Sequence, residues 1–198
     1  MEFRDVLAKR RMVRNYTEEP VDQTKVDRIV DAGLRSPSAG NSQGFGFIVV
    51  SEPSLRAEIA ELAGESEYVA QGFDPWISKA PIHIVISVSK LTYLERYREA
   101  DKLGADGAEI DWPVPYWWID AGAALMAILL AAVDEGMAAG FLGVHSIPEL
   151  RQTLEIPSEH HPIGVVTIGH AAPDRRSGSL ERGQRPRNLV VHNEVWGS

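Results

Sequence analysis

The sequence predicts a single domain, residues 1–198, built around one buried helix. Two observations carry this expectation. The stretch from Asp120 to Gly136 is almost entirely apolar and rich in residues that favour helix, so it reads as a helix buried on every side. Residues 121–133, between Asp120 and Asp134, are the only uninterrupted uncharged run there. That is shorter than the roughly 18 residues a membrane span needs, so a core helix is expected and no membrane. A length of 198 residues with 44% hydrophobic content suits one domain with a real core. Ala123, Ala124, Ala127, Ala131 and Ala132 give the helix short side chains that admit close approach by another helix. Two readings of it stand: the core helix of a monomer, or a helix that meets a second copy of the chain.

The formal net charge of −8 lacks the positive footprint of a general nucleic-acid binder or a basic membrane-surface protein. Basic residues gathered in one place are therefore expected to have local roles. The absence of cysteine excludes a disulfide framework and fits a reducing compartment. The charged, amphipathic start Met1-Glu-Phe-Arg-Asp5 differs from a secretory leader, and a cytoplasmic location is expected.

Phe3, Val6 and Leu7 recur at helical spacing, so residues 2 to about 10 read as a short helix. Arg10, Arg11 and Arg14 leave its end together. They complement the helix macrodipole on one reading and form an anion site on the other. If the helical path persists, Arg14 shares a face with both Arg10 and Arg11, a geometry that can clasp a phosphate. Pro20 opens the next segment, where Asp22 is placed to cap a helix that turns Val26, Ile29, Val30 and Leu34 to the core and ends near Arg35. In the loop Ser36–Gly44, small residues admit a ligand close to the backbone, while Ser38, Asn41, Ser42 and Gln43 supply donors and acceptors. A plain surface loop has the same composition.

Here the chain resembles a known family. Arg10-Arg-Met-Val-Arg-Asn-Tyr16 with Pro20-Val21, then Ser36-Pro-Ser-Ala-Gly-Asn-Ser-Gln43 leading into the strand Phe45–Val50, is similar to the N-terminal signature of FMN-dependent nitroreductases. Gly136–Gly143, Leu150–Pro157, Pro162–His170 and the basic tail from Arg185 to His192 follow in the family's order. The resemblance implies an α+β fold, with helices packed around a mainly antiparallel central sheet, and an intertwined homodimer. Its two FMN sites would lie at the interface, which favours the second reading of the central helix. Residues 188–198 would form an arm across the partner.

The resemblance places Arg10 near the FMN phosphate and Arg14 near the ring N1 and C2 carbonyl, with Arg11 and Met12 beside them. A fixed guanidinium at N1 suits the negative charge that reduction puts there. Arg187, with Arg185, would hold the phosphate from the tail. Pro37, Ser38, Ala39 and Asn41 would come from the partner subunit. Leu142, Gly143 and Val144 match the turn whose backbone N–H meets N5. Two positions depart from the pattern: Met12 stands where the family usually has serine, and Gly44-Phe45 replaces a proline followed by an aromatic.

Residues 90–118 are outside the resemblance, and in the family this region covers the flavin and sets substrate choice. Tyr93–Lys102 reads as a short amphipathic helix, and Trp112–Trp118 as an irregular arm whose prolines forbid continuous helix. Tyr93, Tyr97, Arg98 and Trp117 are candidate substrate-lid residues, with simple packing of the aromatics as the alternative. No metal is expected, because His160 and His161 are adjacent and point apart without a third ligand. Gly40, Gly44 and Gly46 do not complete a dinucleotide fingerprint. Arg175, Arg176 and Arg182 read as solvated connector residues.

The implied function is reduction of small electron-poor compounds, such as nitroaromatics or quinones, with NADH or NADPH as reductant in a ping-pong cycle through FMN. Alternatives are a specialised member performing reductive dehalogenation, enoate reduction or flavin fragmentation, and a flavin-binding dimer without turnover.

Overall fold

In a computed structural model, all residues are described except 148, 176 and 198, so the expectation for Arg176 lies outside the described residues. Four strands form one antiparallel sheet in the order β1-β2-β4-β3: β1 Phe45–Val50, β2 Ile82–Ser89, β3 Ala138–Gly143 and β4 His160–Gly169. Every residue of β2 is buried, because helices cover both faces of the sheet at its centre. Strand alternation divides the core accordingly. Ile82, Ile84 and Ile86 face one layer, which holds Val26 and Ile29 of α2 (Gln23–Leu34) and Ile128, Leu129 and Ala132 of α7 (Tyr116–Asp134). Val85 and Val165 face the other, with Ile59 of α3 (Pro53–Leu62), Trp76 and Ile77 of α5 (Trp76–Lys79), and Leu150 of α8 (Leu150–Thr153). The helices α1 (Phe3–Lys9), α4 (Glu65–Ala70) and α6 (Lys90–Arg96) complete the chain.

Several expectations shift for identifiable reasons. Asp22 caps α2 as read from sequence, its carboxylate accepting from the Thr24 N–H at 2.8 Å, but Leu34 is 54% exposed and not in the core. The helix α6 starts at Lys90, where Ser89 caps it, and ends before Tyr97, so it does not run to Lys102. The central helix begins at Tyr116 and absorbs the end of the supposed irregular arm, since Pro115 is tolerated at a helix N-terminus. It is not buried on every side within one chain. Ala121, Ala124, Ile128 and Ala132 are buried, whereas Ile119, Gly122 and Met126 form an exposed stripe at helical spacing. Gly33 lets α2 approach α7 closely, because a Cβ there would lie 2.9 Å from Ile128 Cγ1.

Candidate functional site

The arginine segment leaves α1 abruptly. Arg10 is extended (φ −60, ψ 119), so Arg10, Arg11 and Arg14 do not share a helical face. The cause is pairing with β3: Met12 bridges Ala139, and the Val13 N–H donates to the Ala139 carbonyl at 3.0 Å. Gly140 permits this approach, since a Cβ there would meet the Val13 carbonyl at 2.5 Å. The extended path still brings all three arginines to one cleft of about 460 Å3, which Met12 also lines. Its opposite wall is the connector after β4, through Asp174, Arg175, Ser177 and Ser179.

Asp174 joins the two walls. Its carboxylate accepts from Arg11 Nη1 at 2.6 Å and from the Arg14 N–H at 2.9 Å. Burial pushes its pKa upward, but the Arg11 and Arg14 donors outweigh this and hold it below the ordinary aspartate value. Arg11 is therefore engaged, whereas among the described residues the Arg10 and Arg14 side chains have no acidic partner.

Arg14 also lines a second cleft, of about 400 Å3, with Tyr68, Trp76, Phe141, Leu142 and Gly143. Its guanidinium stands 5.9 Å from the Trp76 ring centroid. Glu65, buried at the cleft wall, accepts from the Ile77 and Ser78 N–H groups at the start of α5, which fixes the carboxylate. Gly143 ends β3 and Val144 begins a single 3-10 turn. His145 curls back over Gly143, where an added Cβ would meet Nδ1 at 2.8 Å.

The other predicted residues lie elsewhere in the chain. Pro37, Ser38, Ala39 and Asn41 line neither cleft. Their loop is held by Asp120, whose Oδ2 accepts from the Ala39 N–H and from the Tyr93 hydroxyl, each at 2.8 Å. Arg96 Nε donates to the Gly40 carbonyl at 3.0 Å, and Ser38 Oγ accepts from the Gln43 N–H at 2.9 Å. Gly40, Asn41 and Gln43 have φ of 60, 55 and 51, so two non-glycine residues adopt left-handed backbone in this loop. Arg185 and Arg187 line a separate depression in the tail, where Arg185 Nη2 donates to the Leu189 carbonyl.

The candidate lid residues divide into buried and exposed. Tyr93 is 0% and Trp117 7% exposed; Tyr93 packs edgewise on Trp112 and Trp117 lies tilted against it, so within the chain both rings are covered. Tyr97, Trp112, Tyr116 and Ala39 instead surround a small pocket of about 270 Å3. Arg98 is exposed and pairs with Glu109 at 2.9 Å.

Glu65, Tyr68, Trp76, His145, Asp174, Arg175, Ser177 and Ser179 also line the two clefts, and no sequence expectation placed them there. None belongs to a periodic pattern, and Arg175 was read as solvated. Asp120, the lone charge at the head of an apolar helix, was the one available signal for the loop anchor. Among the described residues no group of three or more His, Asp or Glu could hold a metal ion. His160 Nδ1 lies 3.3 Å from Ser87 Oγ, while His161 packs near Trp118.

Comparison with known proteins adds the remaining findings. A family model described as the nitroreductase family matches residues 7–170. A Bacillus subtilis protein named FMN reductase (NAD(P)H) is 32% identical over 196 residues, covering 96% of this chain and 72% of its own length. A Nematostella vectensis protein named iodotyrosine deiodinase is 26% identical over 200 residues, covering 91% of this chain and 71% of its own. The structure of the hypothetical oxidoreductase YcnD from Bacillus subtilis superposes with a TM-score of 0.75 at 28% identity, covering 98% of this chain and 74% of that one.

Proposed function

This chain belongs to the nitroreductase family, and we propose that it is an FMN-dependent oxidoreductase that uses NADH or NADPH to reduce small electron-poor compounds such as quinones and nitroaromatics. The observation that carries this reading is the position of Arg14 at the junction of two clefts, one lined by arginines and one walled by Trp76, Tyr68 and Phe141. The residues fit FMN. The arginine cleft suits a phosphate dianion, and the aromatic cleft, which Gly143 also lines, suits a planar ring. When bound, the flavin supplies the hydride chemistry. Arg10 would hold the phosphate end, Arg14 would favour negative charge at the pyrimidine edge, and the Gly143–Val144 backbone would meet the reacting edge.

Each site in this reading is completed by a second copy, which would supply Pro37, Ser38, Ala39 and Asn41. The tail with Arg185 and Arg187 would reach across between the copies. The stripe Ile119, Gly122 and Met126, and the exposed arm residues Leu189, Val190, Val195 and Trp196, support this homodimer, because exposed apolar groups at this density are typical of interfaces. A cytoplasmic location is part of the same proposal. A second reading, reductive dehalogenation, is favoured by the relative named iodotyrosine deiodinase.

Steady-state oxidation of NAD(P)H with a quinone as acceptor tests the first reading: parallel double-reciprocal lines are expected. Failure to turn over quinones or nitroaromatics, together with iodide release from iodotyrosine, would favour the second.

A further inference from the structure

We propose that the pocket enclosed by Tyr97, Trp112 and Tyr116, with Asp111 in its wall, binds a small organic cation that carries a fully alkylated nitrogen. The pocket shares no lining residue with the two clefts assigned to the flavin, so the assignment goes beyond that reading and does not depend on it.

The three rings are fixed by the fold. Tyr97 follows the last residue of α6, and its N–H donates to the Tyr93 carbonyl at 3.0 Å. Its ring lies against Gly40, where an added Cβ would come within 2.6 Å of Cε2, and the bond from Arg96 Nε to the Gly40 carbonyl ties the same two segments together. Trp112 packs on the buried rings of Tyr93 and Trp117, with centroids 6.4 and 5.7 Å away. Pro113 and Pro115 restrict the backbone between Trp112 and Tyr116, and Tyr116 opens α7. Tyr97 and Trp112 meet at 69° with centroids 4.6 Å apart, and Trp112 and Tyr116 at 64° and 6.3 Å. Rings at such angles form a corner and not a stack, and the pocket of about 270 Å3 beside them suits a compact group. Little side-chain order has to be created when a ligand enters.

The lining selects the sign of the ligand. Aromatic faces carry the negative part of the ring quadrupole and attract cations, most strongly those that are easily desolvated. An alkylated nitrogen has no N–H to leave unsatisfied against such walls. Tyr97 already shows the attraction, because Lys102 Nζ stands 5.7 Å from its ring centroid, and Lys102 does not line the pocket. Around the pocket, Glu99, Asp101, Asp106, Glu109 and Asp111 outnumber Arg98 and Lys102. Both bases are paired, Arg98 with Glu109 at 2.9 Å and Lys102 with Asp101 at 3.7 Å, whereas among the described residues Asp111 has no cationic partner. Its carboxylate therefore repels an anionic ligand from the pocket and attracts a cationic one.

The test is titration of the purified protein with phenyltrimethylammonium and with tert-butylbenzene, its neutral isostere, followed by quenching of tryptophan fluorescence, to which Trp112 contributes. The cation should bind about tenfold more tightly than the isostere. Asp111→Asn should weaken the cation about threefold or more while leaving the isostere within about twofold, and added salt should erase that difference. Tyr116→Leu, at a position 45% exposed and outside the core, should weaken the cation by a similar factor, whereas Tyr116→Phe, which keeps the ring, should not. Equal affinities for the cation and the isostere, or no binding of the cation, would overturn the assignment. So would Asp111→Asn and Tyr116→Leu proteins that bind the cation as tightly as the wild type. Flavin content and NAD(P)H oxidation are measured on the same samples, and their failure would overturn the cofactor reading without touching this one.

Discussion

Tyr93→Phe separates the two roles open to an aromatic residue on α6. The substitution keeps the ring, and with it the edgewise packing on Trp112 and Trp117, and removes only the hydroxyl. That hydroxyl donates to Asp120 Oδ2 at 2.8 Å, with Tyr93 0% and Asp120 7% exposed, so water cannot easily take its place. A hydrogen bond to a charged group contributes roughly 1.5 to 3 kcal/mol, and a buried carboxylate left with fewer donors adds to the cost. The Ala39 N–H remains as the second donor, which keeps the loss within about that range. Urea unfolding followed by circular dichroism should show the midpoint falling with an unchanged slope. Because Asp120 also holds the Ser36–Gly44 loop, FMN should bind more weakly in the variant. A variant as stable as the wild type, with only the Michaelis constant for the acceptor altered, would refute the anchoring argument and restore Tyr93 to the substrate lid.

Three further outcomes follow from the same geometry. Arg14→Ala should lower the flavin midpoint potential by about 20 mV or more, roughly 1 kcal/mol for a two-electron couple, measured against a reference dye; a wild-type potential would place another residue at N1. Met126→Glu should abolish the dimer and flavin retention together in sedimentation, since an unpaired carboxylate in an interface costs roughly 3 to 5 kcal/mol; Met126 is 46% exposed on α7, a sharper probe than half-buried Ala127. Burial lowers the His83 pKa from 6.5 to about 4, and its Nε2 donates to the Ile77 carbonyl at 2.8 Å. The unfolded imidazole takes up a proton below its ordinary pKa while the folded one does not, so stability falls by about 3 kcal/mol as pH drops from 6.5 to 4. Urea midpoints of wild type and His83→Gln across that window should differ in slope, and equal slopes would mean that His83 is not the group responsible.

The elements were legible wherever one physical signal dominated. The apolar run at 121–133, the Asp22 cap and the strand Phe45–Val50 each appear within a turn or two of their expected bounds. A single chain covers only part of the central helix, and composition reports how apolar a helix is and not what covers it. The stripe at Ile119, Gly122 and Met126 is periodic in sequence, but the alanines around it mask the period. In the candidate site, Arg10, Arg11, Met12 and Arg14 were drawn to one place for the wrong local reason. Pairing of Met12 and Val13 with Ala139 pulls the chain off its helix, and that long-range contact leaves no trace in local spacing. The connector was unreadable for a related cause: Arg175 is adjacent to Arg176 in a Ser/Gly-rich run, and only the bonds from Asn15 and Arg11 to residues 173 and 174 distinguish it from a solvated cation. For Tyr93 and Trp117 the sequence leaves both readings open, because aromatic residues in such an insertion serve equally as lid or as core.

The central claim is that this fold carries a flavin that takes electrons from a nicotinamide cofactor, and the visible spectrum of the purified protein tests it most directly. Bands at about 370 and 450 nm, as for a bound flavin, should be present and should bleach on anaerobic addition of NADH or NADPH, then return when a quinone is added. Protein that stays colourless after incubation with FMN, or a flavin spectrum that neither reductant bleaches, would contradict it.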